Sequence, residues 1–251
     1  MIKLENVTKY YSDETVIGPL NFEIKEGGFN SIIGPNGAGK STTLLMIGRL
    51  LDMDTGKINV GGMDVSSCPS EELAKVLSIL RQENNFTSRL TVKQLVSFGR
   101  YPYSKGRLTE RDMEIIDKYI NFLELKAFEN RYLDELSGGE RQRAYVAMVL
   151  AQNTKYVLLD EPLNNLDIAR SVNMMKYLRK ACDELGRTIV LVIHDINFAA
   201  TFSDRIFAMK NGKLILEGSV DEVMDSKILS DIFETKINVI DSPYGKIAMY
   251  N

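Results

Sequence analysis

Apolar and polar positions alternate across residues 1–30, with Ile2, Leu4 and Val7, then Leu20, Phe22 and Ile24, broken by the turn-forming Glu26-Gly27-Gly28. A period of two with such breaks predicts antiparallel strands, and the segment 58–65, interrupted by Gly61-Gly62, continues the pattern. The period then changes. Residues 29–33 form a short apolar run that enters a glycine-rich loop and emerges as the helical sequence Thr42-Thr43-Leu44-Leu45-Met46-Ile47. Three further near-continuous apolar runs, 76–80, 156–159 and 189–193, predict parallel strands covered on both faces, since a strand exposed on one face would alternate. Strand, loop and helix in repeated succession predict an α/β fold.

Between residues 91 and 151 the pattern is helical. Thr91 and Thr109 are placed to cap helix N-termini, and Ile115, Ile116, Tyr119, Ile120 and Leu123 share one helical face, which packs the core of a small lobe and implies no cofactor. Helical sequence resumes over 168–185, and residues 205–217 predict a hairpin turning at Asn211-Gly212. A short helix and one more hairpin around Ser242-Pro243-Tyr244-Gly245 close the chain. We therefore divide residues 1–251, a single domain, into an α/β core with its β subdomain (1–85 and 152–217), an inserted helical subdomain (86–151) and a tail (218–251).

Composition narrows the function. The 251 residues are 44% hydrophobic and 26% charged, enough for a full core, and the formal charge of -3 without long Lys/Arg runs argues against nucleic-acid binding. The longest apolar run, 144–151, is far short of the roughly 20 residues of a membrane-spanning helix. The start of the chain shows no charged-then-apolar leader, so a cytosolic protein is expected, and any membrane role must come through a partner. Cys68 and Cys182 are isolated from each other and from any metal-ligand spacing, which fits a reduced compartment.

Five segments carry chemistry. Gly34-Pro35-Asn36-Gly37-Ala38-Gly39-Lys40-Ser41 fits G-x-x-x-x-G-K-[ST] between a strand and a helix: backbone N–H groups cradle phosphates, Lys40 neutralises the outer ones and the Ser41 hydroxyl suits Mg²⁺. Leu136-Ser137-Gly138-Gly139-Glu140 read alone is a helix capping box. Its paired glycines also admit a ligand to the backbone at a helix N-terminus that carries partial positive charge, so it is a second phosphate-gripping segment. The run 156–159 ends in Asp160-Glu161, one acid placed for a metal shell and its neighbour for an attacking water. His194, the one histidine of the chain, follows the run 189–193 and would reach a γ-phosphate. Gln82 follows the run 76–80 in the same manner and either touches Mg²⁺ or the water or is a solvated loop residue. Strands of an open α/β sheet present ligands at their carboxyl ends, where these segments lie.

In this order the motifs resemble those of the ATP-binding-cassette ATPases, over nearly the whole chain. The resemblance implies a P-loop NTPase core with a parallel sheet, an N-terminal antiparallel β subdomain and an inserted helical subdomain. It implies ATP and Mg²⁺ as ligands, with Gly34, Pro35, Asn36, Gly37, Ala38, Gly39, Lys40, Ser41 and Thr42 on the nucleotide, and Ser41, Gln82 and Asp160 serving Mg²⁺. Glu161 becomes the general base, His194 the switch residue, and Asn165-Leu166-Asp167 the loop that communicates across a dimer. Ser137, Gly138, Gly139 and Glu140 complete the site of the opposite subunit, so two chains sandwich two nucleotides in a homodimer. Tyr11 is expected to stack on adenine, with Tyr10 as its competitor and an ordinary strand aromatic as the alternative for either.

The stretch Val96-Ser97-Phe98-Gly99-Arg100-Tyr101-Pro102-Tyr103, with Gly106-Arg107-Leu108-Thr109 and the later Ala147-Met148-Val149-Leu150-Ala151-Gln152, is similar to ATPase subunits of ferric-siderophore, haem and cobalamin importers. Glu161-Pro162-Leu163-Asn164-Asn165-Leu166-Asp167 is similar to subunits serving petrobactin-type catecholate siderophores. The partners so implied are two integral-membrane permease subunits and an extracytoplasmic siderophore-binding protein, with the ATPase at the cytoplasmic face of the membrane. A soluble cassette ATPase of iron–sulfur cluster assembly, a haem or cobalamin import subunit and a non-hydrolysing scaffold are the competing readings. The aromatics of 98–103 either face a permease or pack in the core of the small lobe at a helix end broken by Pro102.

Overall fold

The computed structural model describes residues 1–12, 15–82, 89–243 and 245–250. Strands β1 (Ile2–Tyr10), β2 (Val16–Ile24), β4 (Thr55–Val60) and β5 (Met63–Asp64) form an antiparallel sheet in the order β2-β1-β4-β5. Strands β3 (Phe29–Ile33), β6 (Leu77–Leu80), β7 (Tyr156–Asp160), β8 (Thr188–Val192), β9 (Arg205–Lys210) and β10 (Lys213–Gly218) form a second sheet in the order β10-β9-β3-β8-β7-β6. Five of these run parallel, and β10 pairs antiparallel with β9 through a turn whose Asn211 and Gly212 both have positive φ, the geometry of a type I′ hairpin.

The continuous apolar runs of the central strands follow from what covers them. Val157 and Leu159 of β7, with Ile189 and Leu191 of β8, face one hydrophobic cluster; Tyr156 and Leu158, with Val190 and Val192, face another. The first cluster is shared with α3 (Val92–Phe98), α5 (Glu110–Phe122), α6 (Gly138–Ala151) and α7 (Ile168–Leu185). The second is shared with the antiparallel sheet and with α1 (Lys40–Ile47). One sheet therefore separates two cores, and its side-chain period of two deals residues alternately to each.

The helical segment begins where the sequence places it. Thr91 and Thr109 both accept a hydrogen bond from the N3 amide of the helix that follows, closed by Gln94 and Asp112 into capping boxes. The strand expected over 76–80 starts one residue later, because Val76 ends helix α2 (Ser70–Val76). Phe98, Tyr101 and Tyr103 are 47%, 62% and 41% exposed, so the small-lobe core is not their place. Pro102 sits in the first turn of a short helix, α4 (Tyr101–Ser104), where its missing N–H costs nothing. After β10 come α9 (Val220–Val223), α10 (Ser226–Phe233) and a hairpin of β11 (Ile237–Ser242) and β12 (Gly245–Tyr250), whose turn residue Tyr244 lies outside the described residues. A further helix, α8 (Ile196–Phe202), links β8 to β9. Among the described residues no helix is long and apolar enough to cross a membrane.

Candidate functional site

Four neighbouring parallel strands, β3, β8, β7 and β6, end on the same side of the sheet, and each hands its next residues to one cleft. From β3 the chain enters the glycine loop. Gly34, Gly37 and Gly39 all have positive φ, and at Gly34 a Cβ would meet the Met209 carbonyl oxygen at 2.1 Å, so no other residue fits there. The loop ends at α1, whose first residues, Lys40, Ser41 and Thr42, line the cleft. Tyr11, Thr15, Ile17, Glu161 and His194 line this cavity of about 240 Å³ together with loop residues 36–42.

Lys40 is 4% exposed, and its Nζ donates to the carbonyl oxygens of Gly34 and Pro35, each at 2.9 Å. Burial lowers its pKa, opposed by the charges of Glu161 and Asp160. The Ser41 hydroxyl donates to Asp160 Oδ1 at 2.8 Å, and burial raises the pKa of that carboxyl against the pull of this hydrogen bond. A hydroxyl and a carboxylate oxygen in contact form a hard-oxygen donor set, the chemistry that suits Mg²⁺. Tyr11 donates to or accepts from Thr42 Oγ1 at 3.2 Å across the cavity mouth. Tyr10, whose backbone N–H donates to Asp54 Oδ2 at 2.7 Å, does not line the cavity.

Glu161 is held from three sides. Its backbone sits at φ 49, fixed by its N–H donating to the Val192 carbonyl at 3.1 Å. Gln82 Nε2 and Asn164 Nδ2 both donate to Oε2, at 2.9 and 2.6 Å, and His194 Nε2 lies 2.5 Å from Oε1. Glu161, Gln82 and His194 thus converge from three strands, as their positions after apolar runs predict. Asn164 was not singled out by sequence reasoning as a partner of Glu161; the signal was an amide three residues past an acid at the close of a strand.

Ser137, Gly138, Gly139 and Glu140 do not line this cleft. Ser137 caps α6 in a reciprocal box with Glu140, whose side chain returns to the Ser137 amide at 2.8 Å. A Cβ on Gly138 would meet open space, whereas on Gly139 it would strike the Arg170 side chain at 2.7 Å. Asp167 caps α7 by accepting from the Arg170 amide at 2.8 Å. The glycine-rich helix start and the phosphate loop of one chain therefore do not share a cleft.

The phosphate loop, the acid pair at the end of β7 and the inserted helical segment define a P-loop ATPase cassette. The family model for ABC transporters matches residues 17–164, and the chain belongs to this family as an ATP-binding and ATP-hydrolysing transporter subunit. It is 68% identical over 250 residues to the petrobactin import ATP-binding protein FatE of Bacillus anthracis, spanning 100% of both chains. It is 47% identical to the petrobactin import ATP-binding protein YclP of Bacillus subtilis, over 100% of this chain and 99% of that one. Among solved structures, the dimeric post-hydrolysis state of the cassette MJ0796 bound to ADP and Pi superimposes with a TM-score of 0.77 at 34% identity, covering 88% of this chain and 99% of that chain.

Proposed function

We propose that two copies of this chain, docked at the cytoplasmic face of the membrane on two integral-membrane permease subunits, power import of an iron(III)–siderophore of the petrobactin type handed over by an extracytoplasmic binding protein. The observation that carries this reading is full-length identity to petrobactin import subunits in a chain whose described residues include no membrane-spanning helix. The same identity weighs against the soluble iron–sulfur assembly reading and against haem or cobalamin as cargo.

On this reading each residue takes a role. Tyr11 and Thr42 bracket the side of the cavity where a base would lie, and loop residues 34–41 hold the phosphates with backbone N–H groups. Lys40 exchanges its bonds to the Gly34 and Pro35 carbonyls for phosphate oxygens. Ser41, Asp160 and Gln82 would hold Mg²⁺, which neutralises phosphate charge when bound. Glu161 accepts the proton of the attacking water, and His194 keeps its carboxylate aimed while reaching the γ-phosphate. Ser137, Gly138, Gly139 and Glu140 of one copy close over the loop of the other, with Asp167 at the seam, so nucleotide binding favours the closed pair and hydrolysis releases it.

Ser137→Arg tests the shared pocket. It is expected to retain ATP binding by the isolated chain, to abolish hydrolysis in the assembled transporter, and to fail to restore uptake of labelled ferric petrobactin in cells lacking this subunit. Normal hydrolysis by Ser137→Arg would remove the cross-subunit site, and undiminished ferric petrobactin uptake without the subunit would remove the cargo assignment.

A further inference from the structure

The C-terminal hairpin meets the helix that follows His194 through the side chain of Asn197. Helix α8 begins two residues after His194, and Asp195 between them caps it by accepting from the amides of Asn197 and Phe198 at 2.8 and 3.0 Å. One residue into the helix, Asn197 turns its amide away from the cleft and onto strand β12. Its Nδ2 donates to the Ala248 carbonyl at 3.1 Å, and its Oδ1 accepts from the Ala248 N–H at 2.8 Å. A side-chain amide used in both directions replaces a rung of a β-ladder, joining a helix to a strand edge in fixed register. Ala248 is buried, so neither of its groups has water as a ready substitute.

The hairpin is itself anchored at its other strand. The Ser230 hydroxyl accepts from the Ile237 amide at 2.9 Å, and the Ser226 hydroxyl accepts from the Val239 amide at 2.8 Å, pinning β11 to α10. Lys246 Nζ donates to the carbonyls of Asp221 and Met224 at the end of α9. Lys210 at the end of β9 then fastens α10 to the sheet through the Asp231 carbonyl and Glu234. The hairpin is thus braced against the sheet on one side and grips the helix behind His194 on the other.

We propose that Asn197 is a positioning residue for His194: by clasping Ala248 it lets the C-terminal hairpin set the place of α8, and with it the distance from His194 to Glu161. The inference rests on the ATPase reading above, in which the pair of His194 and Glu161 serves hydrolysis. It assigns the tail a part in turnover, where packing alone would give it a part only in stability.

The test uses the full chain in its assembled transporter, with Asn197→Ala, His194→Ala, the double variant and Glu161→Gln compared by steady-state phosphate release. Asn197→Ala is expected to lower kcat by about 10-fold, within what a sub-ångström misplacement of a reacting group produces, while leaving KM for ATP within about 2-fold. The double variant is expected to lose no more than His194→Ala alone, because the clasp acts through that histidine. Native-state amide exchange, which needs no nucleotide, is expected to quicken at Ala248 and over residues 194–198. An unchanged kcat, a KM rising in step with the fall in kcat, losses that add in the double variant, or unchanged exchange over 194–198 would each overturn the proposal. Undiminished hydrolysis by Glu161→Gln would instead strike the ATPase reading itself, so the two failures are distinct.

Discussion

Glu161, the proposed general base, shows what such a carboxylate needs from its neighbours. Three donors from three loops hold its oxygens, and its left-handed backbone persists because Val192 and Asn164 fix it on both sides. Glu161→Gln keeps the shape and removes the proton acceptor. It is expected to bind ATP nearly as the parent does, to slow phosphate release by at least about 10²-fold, and to accumulate as a closed dimer on size-exclusion chromatography with ATP. Most of this site was legible before any coordinates, because phosphate loops and acids at strand ends announce themselves by residue type and order. Asn197 is not, since a lone amide carries no pattern, and Asn164 is marked only by its place three residues past the acid, its bond to Glu161 being fixed by the tertiary fold.

Between elements, Arg100 joins three helices. Its Nε donates to Asp112 Oδ1 at 2.9 Å in α5, its NH1 donates to the Ala151 carbonyl that ends α6, and its guanidinium lies 4.1 Å over the Tyr103 ring of α4. Both charged side chains are about 6% exposed. Beside it a Cβ on Gly99 would meet the Met148 carbonyl at 2.1 Å, so α3 and α6 approach backbone to backbone. Arg100→Ala strands the Asp112 carboxylate and a helix-end carbonyl in the interior. It is expected to cost about 3–5 kcal/mol, read as a fall in the denaturant midpoint, with nucleotide affinity of the remaining folded chain unchanged. Elements with strong periodicity or caps, such as α5, α6 and the Asn211-Gly212 hairpin, are legible in sequence. Helices α2 and α8 are not: each is seven residues long and buries few positions, too little for a period of 3.6 to register.

Across the whole molecule, the antiparallel sheet is pinned to the parallel one by a polar cluster at their seam. Glu26, after β2, pairs with Lys155 at 2.5 Å, with the Met1 amino group at 3.1 Å and with the Tyr156 hydroxyl at 3.0 Å. Lys155 first, then the amino group and Tyr156, hold the Glu26 carboxyl at about 2, below its ordinary 4.5. A carboxylate depressed in the folded state lends stability that is whole above pH 4.5 and drains away as pH falls toward about 2. Glu26→Gln is therefore expected to unfold at lower temperature than the parent at pH 7, with the gap closing as pH drops through that window. Equal melting temperatures at pH 7 would show that the cluster contributes nothing. The one level that sequence pattern reaches only through family likeness is the dimer, because residues 137–140 and the phosphate loop do not line one cleft within a single chain.

Lys40 gives the glycine loop an occupant of its own. Its ammonium already rests on two oxygens of the Gly34 and Pro35 backbone. On the proposed role of Lys40, an incoming triphosphate offers replacement oxygens to a cation that is already stripped of most of its water. Desolvation, ordinarily the steep part of gripping an anion, has been settled during folding, and each round of the motor begins with a handover between equals.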